Sequence, residues 1–398
     1  MNKDTTGLLL FNELKQAEDH GVRLRIILDD LLVFNAAWIA ELAQQKQIDI
    51  RIFNPFNARK SGWLGRAVDF QLHQAQLDNR LHDKYFYVDN QMVILGGRNI
   101  GDNYFGYSKE ANFFDLDVVF KGLIISAFVA NYAQLWGNNL VTPVGDLITV
   151  SHTENYSHFY QAVTKTTNQN TVVVNAIASA VGNLTSMAFI RSAVTPVFDS
   201  LAKQQDNKPY FITRVERLMD SSISCAKKAL ISTPYVIPTQ HKFKIIETLV
   251  NNGAAASLIN NSSASNDSAF VPADFEEYRP ILMKMGVNLC EFRDDAYAKD
   301  HLYHVDTYYH NRTFILTIRS PNIGSSNFAP RSDFLNIEFG IVIESEAFAK
   351  ILNTYLLGTQ ECNYWHVTQQ SDGSIRWQPA DESLDTNPNY GDWYKLPD

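Results

Sequence analysis

The chain has 398 residues, 45% of them hydrophobic and 19% charged, with a net charge of −9. That is ordinary globular composition, long enough for two domains, and it lacks the basic excess expected of a dedicated nucleic-acid binder. Three scattered cysteines, Cys225, Cys290 and Cys362, form no Cys-x-x-Cys pair and no disulfide framework, so they read as free thiols, with Cys290 in a buried strand.

The opening residues, MNKDTTGLLLF, lack the basic region, apolar core and cleavage site of a signal peptide, and none is expected. Residues 8–19 read as an amphipathic helix ended by Gly21. Residues 22–28 (VRLRIIL) read as a buried strand that finishes in Asp29-Asp30. A second helix over 36–44 and a strand over 48–53 follow, closed by the turn Asn54-Pro55. This order of helix and strand implies a mostly parallel sheet covered by helices. The loop over 56–66 carries Arg59, Lys60 and Arg66 beside Trp63 and Leu64. Such a mixture suits contact with anionic lipid headgroups. A solvated loop folded back over a site would look the same.

The most informative stretch is Arg80 to Phe105. It contains His82-x-Lys84, then Asp89, then Gly96-Gly97-x-Asn99, in the pattern H-x-K-x4-D-x6-G-G-x-N. Residues 85–88 and 92–95 read as two strands joined by a turn at Asp89-Asn90. In an extended chain His82 and Lys84 share one face, and an imidazole beside an ammonium suits an oxyanion such as phosphate. The apolar run over 118–133 is interrupted by Lys121 and Asn131, too broken for a transmembrane helix. Residues 124–136 read as a helix. Residues 138–208 are the least readable, rich in Thr and Asn, as in TKTTNQN at 164–170, and are taken as a connection.

The second half repeats the first. A helix over 217–229 precedes a strand over 229–232 and a loop at 233–238. Then come a helix over 241–251, a strand over 254–260, a helix over 275–285 and a strand over 287–292. Gly21-Val22 before a strand is echoed by Gly253-Ala254, and the strand over 48–53 by 287–292, so a domain is duplicated. Gly324-Ser325-Ser326-Asn327 closes a second motif. Counting back places His310 as its histidine; His301 and His304 fail the spacing. Arg312 stands in the lysine position and Thr317 in the aspartate position. A planar, forked guanidinium is not equivalent to a compact ammonium.

The first motif resembles the HKD signature of the phospholipase D superfamily. The words NPFN (54–57), LHDKYF (81–86), GGRNIGDNYFG (96–106) and FFDLDV (113–118) look like its cardiolipin synthase branch, most of all the C-type members. The resemblance implies two homologous α/β/α halves, each a mixed, mostly parallel sheet, packed as a pseudo-two-fold pair. The expected boundaries are 1–145 for the first half, 146–208 for the connection, 209–358 for the second half and 359–398 for a tail. In the resembled family a strand precedes the D-x-x-G opening, here Asp4 to Gly7, so the first strand is missing from this sequence.

By the same resemblance His82 is the nucleophile, forming a phosphohistidine, and His310 the general acid/base, with the reverse assignment left open. Lys84, Arg312, Asn99 and Asn327 would hold the phosphoryl oxygens. Asp115 and Glu338 stand where the family places acids that orient the histidines. Asp89, Gly96, Gly97, Gly324 and Ser325 belong to the structural frame of the motifs. No metal or cofactor is implied. The implied substrates are anionic phospholipids, phosphatidylglycerol with phosphatidylethanolamine as a second candidate. They would be met at a membrane surface, by a peripheral protein of a bacterial cytoplasmic membrane. Nucleic acid is not an expected partner, and a helper protein is unknown. Trp365, Trp377, Tyr390, Trp393 and Tyr394 give the tail an aromatic character that suits packing across the domains or an anchor at a bilayer surface.

Overall fold

The computed structural model describes residues 1–31, 33, 36–57, 65, 68, 77–149, 157–183, 187–268, 270–296, 298–316, 320–358 and 363–379. Helix Thr5–Asp19 starts three residues before its apolar periodicity, because the Asp4 carboxylate caps it by accepting the Gly7 N–H at 3.0 Å. The first half then supplies β1 (Leu24–Asp29), β2 (Ile48–Phe53), β3 (Tyr85–Val88), β4 (Met92–Gly96), β5 (Ala111–Phe114), β6 (Asp117–Lys121) and β7 (Val141–Pro143). These make two three-stranded sheets, β1-β2-β7 and β3-β4-β6.

The second half supplies β8 (Ala193–Phe198), β9 (Lys228–Ser232), β10 (Ala255–Asn261), β11 (Asn288–Phe292), β12 (Asp306–Tyr309), β13 (Thr313–Leu316), β14 (Ser320–Gly324), β15 (Phe339–Glu344), β16 (Tyr364–Gln369) and β17 (Ile375–Pro379). Nine of them form one sheet in the order β17-β16-β11-β10-β9-β13-β14-β15-β8. The sheet is mixed, but parallel pairing is confined to β9-β10-β11, and in the first half to β1-β2. Only there do helices cross over between neighbouring strands. Hairpins and returning chain ends make the other pairs in the large sheet antiparallel.

The duplication is visible in this order. The parallel pair β1-β2 matches β10-β11, and the meander β3-β4-β6 matches β13-β14-β15. In the second half β9 joins the two parts. Among the described residues of the first half, no strand fills that place.

Several elements differ from the sequence expectation. The helix expected over 217–229 is Tyr210–Cys225, because the Lys227-Lys228 pair already begins the approach to β9. Stretch 146–208 is not mere connection: it folds into helices Ser157–Gln169 and Thr171–Asn183, and its β8 pairs antiparallel with β15. The start of the tail likewise joins the large sheet through β16 and β17, where the Trp377 indole N–H donates to Glu291 Oε2 at 2.9 Å. Cys290 lies buried in β11. Tyr390, Trp393, Tyr394 and Cys362 fall outside the described residues, as do Arg59, Lys60, Trp63, Leu64 and Arg66 of the expected lipid-contacting loop.

The two halves share apolar core. Val93, Leu95, Ile125 and Phe128 of the first half pack with Phe339 and Ile341 of the second. Phe114 packs with Leu230, Ile259, Phe292 and Tyr309, its ring stacked on those of Phe292 and Tyr309. Each fully buried aromatic or aliphatic side chain of this kind contributes about 1.5–3 kcal/mol. The backbone joins the halves too: β5 and β12 form a parallel two-stranded sheet, and Leu81 bridges to Ile337. Both junctions end at the motif histidines.

Candidate active site

Each motif histidine follows directly on one of those junctions. The His310 N–H donates to the carbonyl of Phe114, the residue before Asp115, at 2.9 Å. The His82 N–H donates to the carbonyl of Ile337, the residue before Glu338, at 3.0 Å. Matching backbone bonds therefore set each histidine beside the acid of the opposite half. His310 Nδ1 lies 2.7 Å from Asp115 Oδ2, and His82 Nδ1 lies 2.9 Å from Glu338 Oε2. Asp115, 33 positions after His82, serves His310, and Glu338, 28 positions after His310, serves His82.

The two acids sit in different electrostatic surroundings. Burial pushes the Glu338 carboxyl up, but His82, the Ser325 hydroxyl and Lys84 outweigh it and hold the group well below the usual carboxylate range. Ser325 Oγ donates to Glu338 Oε2, and accepts the Phe339 N–H at 3.0 Å. Asp115 goes the other way. Its burial raises it to about 7 in spite of the nearby Arg312 and Arg98 charges. The neighbouring Asp83 is also raised well above its ordinary value, by burial and then by Glu338.

Both histidines are held neutral. Burial lowers His82 from its ordinary 6.5 to about 4, with Glu338 pulling the other way. Burial and then the Arg312 guanidinium hold His310 well below 6.5. Lys84 donates to the carbonyl of His82 at 2.9 Å, and burial followed by the Arg312 charge lowers its ammonium to about 7. Lys84 and Arg312 thus bring two cationic side chains to the centre, which suits an anion.

Arg312 fills the second lysine position in its own manner. Its Nε donates to Asn327 Oδ1 at 2.5 Å, and NH1 donates to the carbonyls of His310 at 3.0 Å and Gly97 at 3.4 Å. Its two terminal nitrogens lie 3.1 Å from His310 Nδ1 and 3.0 Å from Nε2. Asp115 and Arg312 therefore converge on Nδ1, and among the described residues Arg312 alone reaches Nε2.

The motif frame explains the glycines. A Cβ at Gly97 would stand 2.5 and 2.6 Å from the Asp115 oxygens, and one at Gly324 would stand 2.8 Å from Gly340 Cα. Gly96 is closed in the same way by Asp117, its Cα only 2.7 Å from such a Cβ. Asn99 donates to the Tyr104 hydroxyl at 2.8 Å. Asp89 is not in the site. It is exposed in the tight turn of the β3–β4 hairpin, at the end away from His82, with φ of 48° beside Asn90 at 54°. Its counterpart Thr317 lies outside the described residues.

Several site residues were not picked out from sequence. Tyr104 and Phe113 each bring a ring centroid 5.0 Å from that of His310. Lys203 is fully buried, pairs with Asp199, and donates to the carbonyls of Ser332 at 3.1 Å and Asn336 at 2.9 Å. Asp199 in turn receives the Glu338 N–H on Oδ2 at 3.3 Å and donates its own N–H to the Glu338 carbonyl at 2.9 Å. An acid and a lysine four apart in VFDSLAK were the available signal.

Two facing H-x-[KR] motifs with exchanged acids, on a duplicated α/β/α frame, define a phospholipase D-like protein. The chain belongs to the family described as cardiolipin synthase, PLD-like domain, which it matches over residues 6–136 and 219–358. Among curated proteins it is 29% identical to cardiolipin synthase C of Escherichia coli (strain K12), over 94% of this chain and 81% of that one. It is 26% identical to an uncharacterized protein of Helicobacter pylori (strain ATCC 700392 / 26695), over 96% and 76%. The crystal structure of phosphatidylserine synthase from Haemophilus influenzae Rd KW20 has the same fold, with a TM-score of 0.57 and 15% identity over 91% of this chain and 79% of that chain.

Proposed function

We propose that this chain is a phosphatidyltransferase of the cardiolipin synthase type, moving a phosphatidyl group between phospholipids through a phosphohistidine. The observation that carries this reading is the pair of histidines, each backed at Nδ1 by a carboxylate from the opposite half. One neutral imidazole attacks phosphorus as the bond to the leaving alcohol breaks, and the other, in its protonated form, gives that alcohol its proton and becomes neutral. The second imidazole then takes a proton from the incoming hydroxyl, which displaces the first histidine from phosphorus. Lys84, Arg312, Asn99 and Asn327 hold the phosphoryl oxygens as charge builds on them.

The substrates in this reading are anionic phospholipids, phosphatidylglycerol above all, with phosphatidylethanolamine as a second candidate, met at a membrane surface. No helix among the described residues is long and apolar enough to cross a membrane, which fits a peripheral place on a bacterial cytoplasmic membrane. The names of the bacterial relatives support the choice of lipid chemistry.

The test is product analysis with purified protein on mixed phosphatidylglycerol and phosphatidylethanolamine liposomes, beside His82→Ala and Arg312→Lys. Cardiolipin from the wild type and none from His82→Ala is the expected result. Phosphatidic acid without cardiolipin would replace the transferase by a phospholipase D-type hydrolase. Tight lipid binding without any product would make the chain a binding-only member, and product from Arg312→Lys alone would mean a decayed second half-site.

A further inference from the structure

A groove of about 450 Å³ lies on the first half, between residues 1–3 and the helices Ala37–Leu42 and Ser157–Gln169. None of the motif residues lines it. Helix Ser157–Gln169 is amphipathic. Phe159 and Val163 enter the core, while His158, Gln161, Ala162 and Lys165, spaced three and four apart, line the groove. The buried Glu41 carboxylate holds the start of this helix by accepting the Phe159 N–H at 2.8 Å. Trp38 stands edge-on to Phe11 at 5.2 Å and stacks on Phe159 at 6.2 Å between ring centroids, which fixes the floor.

Floor and rim differ in chemistry. Val33, Trp38 and Ala162 are apolar, and the first two are buried. Lys3 and Lys165 line the rim, where no carboxylate stands among the described residues, and neither lysine has an ion-pair partner among them. A volume of this size accepts part of a small amphiphile. An apolar bed beneath two free ammonium groups suits an acyl chain joined to an anionic head. The chain has 43 Asp and Glu residues, yet none stands from position 155 to 198. In that stretch helix Thr171–Asn183, TVVVNAIASAVGN, follows directly on the groove helix and leaves Val172 and Val181 58% and 59% exposed. Exposed apolar side chains on an acid-free segment fit a face that meets anionic lipid.

We propose that this groove binds one anionic phospholipid of a bilayer, its phosphate between Lys3 and Lys165 and an acyl chain over Trp38, as an anchor separate from the lipids that react at the histidines. The groove is tied to the reacting centre through the backbone: the Asn2 N–H donates to the Ile100 carbonyl at 2.8 Å, next to Asn99 of the first motif. A lipid held there keeps the His82 half of the protein at the bilayer, where the substrates of the proposed reaction lie. That role rests on the transferase reading; the binding itself does not.

The experiment is vesicle binding by the full chain carrying His82→Ala, so that turnover does not alter the lipid and the result stands apart from any transferase activity. The vesicles contain phosphatidylcholine and phosphatidylglycerol, the latter with brominated acyl chains, because bromine in contact quenches indole fluorescence. Quenching is expected in this parent protein and should be clearly smaller in its Trp38→Phe variant. Equal quenching with and without Trp38 would put the acyl chain elsewhere and overturn the proposal. So would a failure of the parent protein to bind these vesicles.

Two further variants separate a groove from simple attraction between charges, each checked for folding by its circular dichroism melt. Lys3→Gln combined with Lys165→Gln should weaken binding to the same vesicles about 10- to 30-fold. Ala162→Phe keeps both lysines but fills the floor. It should lose the part of the quenching that depends on Trp38 and bind more weakly than its parent. Unchanged affinity in the double lysine variant would overturn the proposal. A folded Ala162→Phe protein that binds and is quenched like its parent would do the same, since charge alone would then account for the attraction.

Discussion

His82 and Glu338 stand 256 positions apart, in opposite halves of the chain, and meet at 2.9 Å with the carboxylate fully buried. Replacing Glu338 by Gln should lower phosphatidyl transfer about 10²-fold or more, since His82 loses the carboxylate that orients and balances it. The pH dependence has a definite sign. The folded-state value of Glu338 lies below its ordinary 4.5, so its stabilising contribution is complete above that value and is lost as pH falls below it. Melting of wild type and Glu338→Gln should therefore differ most at neutral pH and converge under acid.

Asp115 should behave in the opposite sense. Folding raises its carboxyl from the ordinary 3.8 to about 7, so the ionised form is disfavoured in the native state. That cost is absent below about 3.8, grows as pH rises, and is complete above about 7. Asp115→Asn should consequently gain in melting temperature relative to wild type, by a few degrees, as the pH is raised through this window. Its transfer activity should drop all the same, because Asn does not orient and balance His310 as a carboxylate does.

Gly97→Ala would drive a methyl group against both Asp115 oxygens. The expected cost is about 1–3 kcal/mol of stability, read from the urea midpoint. Activity should fall by far more than the loss of folded protein accounts for, because the displaced acid is the partner of His310.

Lys203 and Asp199 form a fully buried ion pair that backs the Glu338 segment from behind. Lys203→Met leaves an uncompensated carboxylate and should cost about 3–5 kcal/mol. Adding Asp199→Asn to it should recover part of that loss in the same denaturation experiment. A double variant no more stable than Lys203→Met alone would show that the lysine acts through packing and not through its charge.

The frame of the site was legible in the sequence because it is local. His82, Lys84 and Gly96-Gly97-x-Asn99 keep fixed spacings on one hairpin, and His310, Arg312 and Gly324-Ser325 repeat them. The exchange of acids was not legible, because it depends on how the halves pack and not on spacing within either. The Asp199–Lys203 pair was hidden for the same reason: its partners, Ser332, Asn336 and Glu338, lie more than a hundred positions away. The helices of 157–183 were obscured by Thr and Asn, residues that favour turns in isolation and are overridden here where Phe159 and Val163 reach the core. The helix at 210–225 was placed too late because its apolar face, Phe211, Ile212, Val215, Met219 and Ile223, begins before position 217, where the expected helix starts.

The backbone bonds from His82 to Ile337 and from His310 to Phe114 make the two half-sites a single latch. A hinge motion that parted the halves would pull both imidazoles from their acids. Severing the polypeptide between the motifs would likewise leave each fragment with a histidine and the wrong acid. Two intact chains that traded their second halves would each regain a full centre, since every essential pairing lies across that seam.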